Sequence, residues 1–165
     1  MRKPIYVLNG PNLNRLGKRE PEIYGATTLA EIETMCRSAA GKLPVEFRQS
    51  NAESEIVDWI HEAIDQGAGI VINPAGLTFT SIPILDALKM FPGPVFELHI
   101  TNVHRREAIY HHSLISTVAT AVIMGLGPDG YRAAVEAMAR RLVVANEGAQ
   151  TKAGKRRAKA RRQAS

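Results

Sequence analysis

Cysteine is almost missing from this chain. Cys36 is the only one in 165 residues, so no intramolecular disulfide can form, and a reducing compartment is expected. It stands at helical spacing from Ile32, Met35 and Ala39, which reads as buried filler and not as a nucleophile. Long hydrophobic runs are missing too. No apolar stretch approaches the roughly 20 residues that a bilayer-crossing helix needs. The first residues also lack the apolar segment of a secretory signal, so the expected location is the cytoplasm and no membrane partner is expected. Several site motifs are absent as well. Gly10 lies too far from Gly17-Lys18 for a P-loop, and no Ser or Thr follows that lysine. No G-x-G-x-x-G follows a strand, and no G-x-S-x-G elbow exists. His111 and His112 are adjacent and His104 completes no metal-ligand spacing, so no metal site is expected. Lysines are few in the body of the chain and none stands at an apolar strand exit, which argues against Schiff-base chemistry.

Acids are missing from the last fifteen residues, where Lys152, Lys155, Arg156, Arg157, Lys159, Arg161 and Arg162 stand alone. The formal charge of +5 is therefore uneven: without those seven, about −2 remains for residues 1–150. The basic segment has no apolar periodicity, which predicts a disordered tail. It is read either as a solvated appendage or as a non-specific contact for nucleic acid or an acidic partner, with the appendage preferred. The rest, 45% apolar overall, is long enough to bury one real core. The expected organisation is a single catalytic domain over 1–145 and a basic tail over 146–165.

The body alternates strands and helices. Ile5–Leu8 is a short apolar strand, and Thr28–Lys42 a helix with Leu29, Ile32, Met35, Cys36, Ala39 and Ala40 on one face and Thr27 or Thr28 as its cap. Val45–Arg48 alternates as a strand close to an edge. Glu53–Ile64 is helical, with Ile56, Val57, Ile60 and Ile64 at helical spacings. Gly69–Ile72 is a buried strand, Ser81–Met90 a helix with Pro83 in its first turn, and Pro94–His99 a strand. Ala119–Met124 is the last strand and Asp129–Val144 the last helix. Five strands alternating with helices predict an α/β, flavodoxin-like, doubly wound parallel sheet in the order 2-1-3-4-5.

In such a sheet, ligands bind beyond the carboxyl ends of the strands, at the switch point between strands one and three. The segments brought there are Asn9–Gly25, Asn73–Phe79 and His99–Arg106, the most polar strand exits in the chain. Their residue types fit acid–base chemistry between Tyr24 and His99. A tyrosine becomes a usable base when a cation favours its phenolate, and either Arg19 or Arg106 could supply that charge. Glu97 and His99 are two apart in a strand and so share a face, where a carboxylate fixes the imidazole tautomer and supports its protonated form. Asn73, Thr101 and nearby backbone N–H groups suit a carboxylate or an oxyanion. Singly, each has a plainer reading: Tyr24 as packing at the start of a helix, Glu97 as a surface charge, His99 as a strand-end hydrogen bonder. Together they fit proton abstraction beside a carbonyl, with general-acid loss of a hydroxyl.

The segments LNGPNLNRLGKREPEIYG, FRQSN, VDWIHEA, INPAGLT-T, ELHITNVHRRE and HHSLIS resemble, in order and with little gapping, those of type II 3-dehydroquinate dehydratase over roughly residues 5–142. The resemblance implies a flavodoxin-like subunit in a homo-oligomer, a dodecamer of four trimers. It also implies dehydration of a small carboxylate, 3-dehydroquinate, to 3-dehydroshikimate through an enolate, with no cofactor and no metal. By matching position, Tyr24 would take the C2 proton, with Arg19 lowering its pKa and closing the loop over substrate. Asn12 would hold the water that supports the enolate, and His99, oriented by Glu97, would protonate the departing C1 hydroxyl. Asn73, the Ile100 backbone and Thr101 would bind the substrate carboxylate. Arg106 matches an arginine near the tyrosine, and Asp86 an acid that reaches a neighbouring subunit's site. The pathway implied is biosynthetic shikimate or catabolic quinate use.

Two departures from the family's pattern bear on the substrate. Phe79 stands where it has histidine, and Tyr110 where it has arginine, and those side chains would grip the ring hydroxyls at C4 and C5. The resemblance thus implies intact proton transfer with altered polyol recognition. A slowed dehydroquinase, a paralogue for a less hydroxylated cyclic keto acid, and a catalytically silent scaffold all remain open on the residues alone.

Overall fold

A computed structural model describes residues 2–18, 22 and 25–163, with side chains in the last helix described as far as Ala145 and at Gly148. Five parallel strands form one sheet in the order β2-β1-β3-β4-β5: β1 Ile5–Asn9, β2 Val45–Gln49, β3 Gly69–Asn73, β4 Val95–His99 and β5 Ala121–Met124. This is the predicted order. Every residue of β1, β3 and β4 is buried, as expected where helices cover both faces of a parallel sheet. Side chains alternate between those faces with period two. Ile5, Val7, Val71, Phe96 and Leu98 meet Ile32, Cys36, Val135 and Met138 on one side. Tyr6, Leu8, Ile70, Ile72 and Val95 meet Ile56, Ile60, Ile84 and Leu88 on the other.

Among the described residues four α-helices supply those covers: α1 Leu29–Ala39, α2 Glu53–Gln66, α3 Ile82–Met90 and α4 Asp129–Gln163. Thr28 caps α1 in a reciprocal box with Glu31, which satisfies two of the orphan N–H groups at the helix start. Ser81 accepts from the Ile84 N–H at 3.0 Å to start α3, and Pro83 sits in its first turn. Cys36 is fully buried, and burial pushes its thiol up to about 12.

The element ends differ from the periodicity in places. α1 stops at Ala39, with Gly41 in the left-handed region at φ 62°. β5 opens at Ala121 and not at Ala119, whose N–H closes a turn onto the Ile115 carbonyl at 3.1 Å. The helical backbone of α4 continues to Gln163, past the Val144 end predicted from the apolar pattern and through the stretch whose composition predicts disorder. Alanine, lysine, arginine and glutamine are strong helix formers, so local propensity alone favours helical backbone there. Among the described residues no helix is long and apolar enough to cross a membrane.

Candidate active site

The exits of β1 and β3 lie side by side, Asn9 in register with Asn73, and they touch through backbone. The Gly10 N–H donates to the Asn73 carbonyl at 2.8 Å. A Cβ at Gly10 would stand 2.3 Å from the Pro74 carbonyl oxygen, so only glycine permits this approach. The chain then turns at Asn12, whose φ of 69° lies in the left-handed region, and asparagine tolerates that conformation well. Asn51 Oδ1 holds the turn by accepting from the Asn12 N–H at 2.9 Å and from Gln49 Nε2 at 3.1 Å.

Glu97 and His99 point the same way from β4, and His99 Nε2 lies 2.8 Å from Glu97 Oε1. Glu97 is fully buried and is no surface charge. Burial alone would push its carboxyl up, but hydrogen bonds from His99, Ser116, Thr78 and Ser113 outweigh it and hold the group down at about 2. Thr78 Oγ1 donates at 2.6 Å and Ser113 Oγ at 2.7 Å, while Ser116 Oγ donates to Oε2. Four donors on one carboxylate make it a permanent anion at ordinary pH. Thr78 reaches it from the turn after β3, and that turn is tied to the 113–116 segment by the Leu114 N–H on the Thr78 carbonyl at 2.9 Å.

Between these two constructions lies a cavity of about 190 Å³, lined among others by Asn12, Asn73, Phe79, His99, Thr101 and Arg106. An engineered cavity of about 150 Å³ holds one benzene, so this one suits a single six-membered ring with small substituents. Its walls differ. Asn12, Asn73, His99 and Thr101 are polar. The Phe79 ring, by contrast, lies nearly parallel to His99 with centroids 6.2 Å apart, and meets the Tyr110 ring edge-on at 5.4 Å. The Arg106 guanidinium stacks 3.9 Å above the Tyr110 ring centre, a cation–π contact that orients its planar fork.

Most residues singled out in the sequence therefore converge: Asn12, Asn73, Phe79, His99, Ile100, Thr101, Arg106 and Tyr110 all line this cavity, and Glu97 stands behind His99. Asp86 does not join them, being exposed on α3 and paired with Lys89 at 3.0 Å. Tyr24 and Arg19 lie outside the described residues. Sequence reasoning assigned no part to Thr78, Ser113 and Ser116, although each falls in a segment quoted above for the resemblance. Nor did it find Tyr131, which touches the site from α4. Among the described residues no cluster of three or more His, Cys, Asp or Glu is placed to hold a metal.

Comparison with known proteins agrees with this geometry. Residues 3–139 match the family described as dehydroquinase class II. The chain is 55% identical over 140 residues to a 3-dehydroquinate dehydratase of Bartonella bacilliformis, covering 84% of this chain and 89% of that protein. It is 56% identical over 139 residues to one of Streptomyces avermitilis, covering 82% and 87%. The crystal structure of type II dehydroquinase from Propionibacterium acnes superposes with a TM-score of 0.81 at 44% identity, covering 85% of this chain and 98% of that one. With the predicted sheet order, a cavity at the switch point and a match over nearly the whole folded body, the chain belongs to the class II dehydroquinase family.

Proposed function

We propose that this chain dehydrates 3-dehydroquinate to 3-dehydroshikimate through an enolate. Tyr24, as phenolate, takes a proton from C2, and Arg19 stabilises that phenolate and closes the loop over substrate. The negative charge moves onto the carbonyl oxygen, where a water held by Asn12 supports it. His99 gives its proton to the C1 hydroxyl, which leaves as water while the C1–C2 double bond forms. Asn73, the Ile100 N–H and Thr101 hold the substrate carboxylate, and Arg106 lines the same cavity. The parts given to Tyr24 and Arg19 rest on the family segment in which they stand. Asp86, which does not line its own cavity, is assigned to a neighbouring subunit's site in a dodecamer of four trimers, by the same resemblance.

The observation that carries the reading is the Glu97–His99 pair at the cavity wall. Because Nε2 is committed to a buried carboxylate, proton exchange with the cavity falls to Nδ1. A fixed negative charge 2.8 Å from that nitrogen sets the ring's orientation and stops it from rotating away. Adding 3-dehydroquinate to the purified protein and following the absorbance of the conjugated enone tests the proposal. Turnover supports it; absence of both turnover and binding would sink it.

A second reading is favoured by the aromatic wall. A ring hydroxyl pressed against the Phe79 ring loses water and gains no comparable partner, a cost on the order of 1 kcal/mol. A cyclic β-hydroxy keto acid with fewer hydroxyls would then be the better substrate. A higher kcat/KM for a deoxy analogue than for 3-dehydroquinate would establish it, and the reverse ranking would dismiss it.

A further inference from the structure

A one-way chain of hydrogen bonds crosses the core beneath the cavity. Asn9 Nδ2 donates to the Arg48 carbonyl at 3.0 Å, and Tyr131 Oη donates to Asn9 Oδ1 at 2.7 Å. Asn73 Nδ2 donates to Tyr131 Oη at 2.9 Å, and the Ala75 N–H donates to Asn73 Oδ1 at 3.2 Å. One end is a backbone carbonyl, which can only accept, and the other a backbone N–H, which can only donate. Between those fixed ends neither side-chain amide can be reversed without facing two acceptors or two donors together. The polarity of the whole relay is therefore set by the backbone at its ends, and the Tyr131 hydroxyl joins its two halves.

Tyr131 is fully buried and comes from α4, whereas Asn9 and Asn73 end neighbouring strands. Asn73 lines the cavity with one N–H of its amide spent on Tyr131 and its oxygen spent on Ala75. Its second N–H is what it has left to donate. We infer that Tyr131 is a positioning residue for substrate binding: its hydroxyl locks Asn73 as a donor toward an anionic group in the cavity. This deepens the function proposed above and rests on it for the identity of that group, the substrate carboxylate.

Tyr131→Phe keeps the ring in the core and removes only the link. The variant is expected to raise KM for 3-dehydroquinate about three- to tenfold, the worth of one hydrogen bond. Its kcat should stay within about threefold, because the reacting atoms are untouched. Asn73→Ala should raise KM as well, and the double variant should be no worse than Asn73→Ala alone, since Tyr131 acts through that amide. A purely structural role would instead multiply the two effects, and that result would overturn the inference, as would an unchanged KM in Tyr131→Phe. A ligand-free measurement separates this inference from the proposed reaction. In the wild-type protein the Asn73 side-chain amide protons should exchange slowly with solvent, and faster in Tyr131→Phe. Wild-type exchange as fast as at an exposed asparagine would overturn the relay even if the variant did not fold. Slow exchange without 3-dehydroquinate turnover would uphold the relay and discard the reaction.

Discussion

Glu97→Gln keeps the shape of the side chain and removes its charge, so it isolates what the buried anion contributes. Folding holds this carboxyl at about 2 against an ordinary value of 4.5. Each pH unit between the two corresponds to about 1.4 kcal/mol, so the ionised form gains on the order of 3 kcal/mol from its surroundings. That figure agrees with the roughly 3–5 kcal/mol lost when one partner of a buried charge pair is removed. The sign follows from the direction of the shift. A depressed carboxyl stabilises the fold above its unfolded value and stops doing so as pH falls through its folded value. The wild-type protein should thus be about 3 kcal/mol more stable than Glu97→Gln at about pH 7. The gap should narrow from about pH 4.5 downward and be largely gone near about pH 2.

Urea unfolding of both proteins, at one protomer concentration across that range, measures the gap. The other carboxylates are common to both proteins and drop out of the difference. A gap that stays constant from neutral to acid pH would refute the reasoning, because it would mean that the substituted amide fails through packing and not through charge. Enzymatically, the same substitution leaves His99 facing a neutral amide in place of its anion at 2.8 Å. A loss in kcat larger than the loss in affinity is expected, since the Glu97–His99 pair acts in the proton transfer and not in holding the substrate.

Two further outcomes are expected. Gly10→Ala would drive a methyl into the Pro74 carbonyl 2.3 Å away, and backbone cannot move aside as a flexible side chain can. About 1–3 kcal/mol of stability should be lost by urea unfolding, with kcat/KM falling as the β1 and β3 exits separate. Phe79→His with Tyr110→Arg should lower KM for 3-dehydroquinate by several-fold up to about a hundredfold, and an unchanged or higher KM would count against the aromatic wall as a determinant of substrate preference.

The order of the sheet was legible once the handedness of parallel crossovers was applied to the elements. The elements were legible because each buried strand is a short apolar run and each helix carries its own apolar stripe. Those two signals need nothing beyond the local sequence. The Glu97–His99 pairing was legible for the same reason, since side chains two apart in a strand must share a face. The cap of α1 could be narrowed to Thr27 or Thr28 from their position before Leu29, Ile32 and Cys36, and it is Thr28. Long-range hydrogen bonding was not legible. Tyr131 is 122 residues from Asn9 and 58 from Asn73, and in the sequence it is only an aromatic early in the last helix. Ser113 and Ser116 looked like polar residues in a loop, yet their hydroxyls help to decide the charge state of Glu97. The basic stretch after Val144 shows the opposite limit. Apolar periodicity marks a buried face, so it is silent about a helix that local propensity favours without one.

The division of labour between Tyr24 and His99 is tested most directly with His99→Asn and 3-dehydroquinate carrying deuterium at C2, following enone formation and loss of the label to solvent together. Removing the general acid should slow enone formation about 10²- to 10⁴-fold, while the label still washes out, because the base and the enolate's support remain. Enone formation near the wild-type rate, or loss of washout along with elimination, would contradict the assignment of His99 as the acid that expels the hydroxyl.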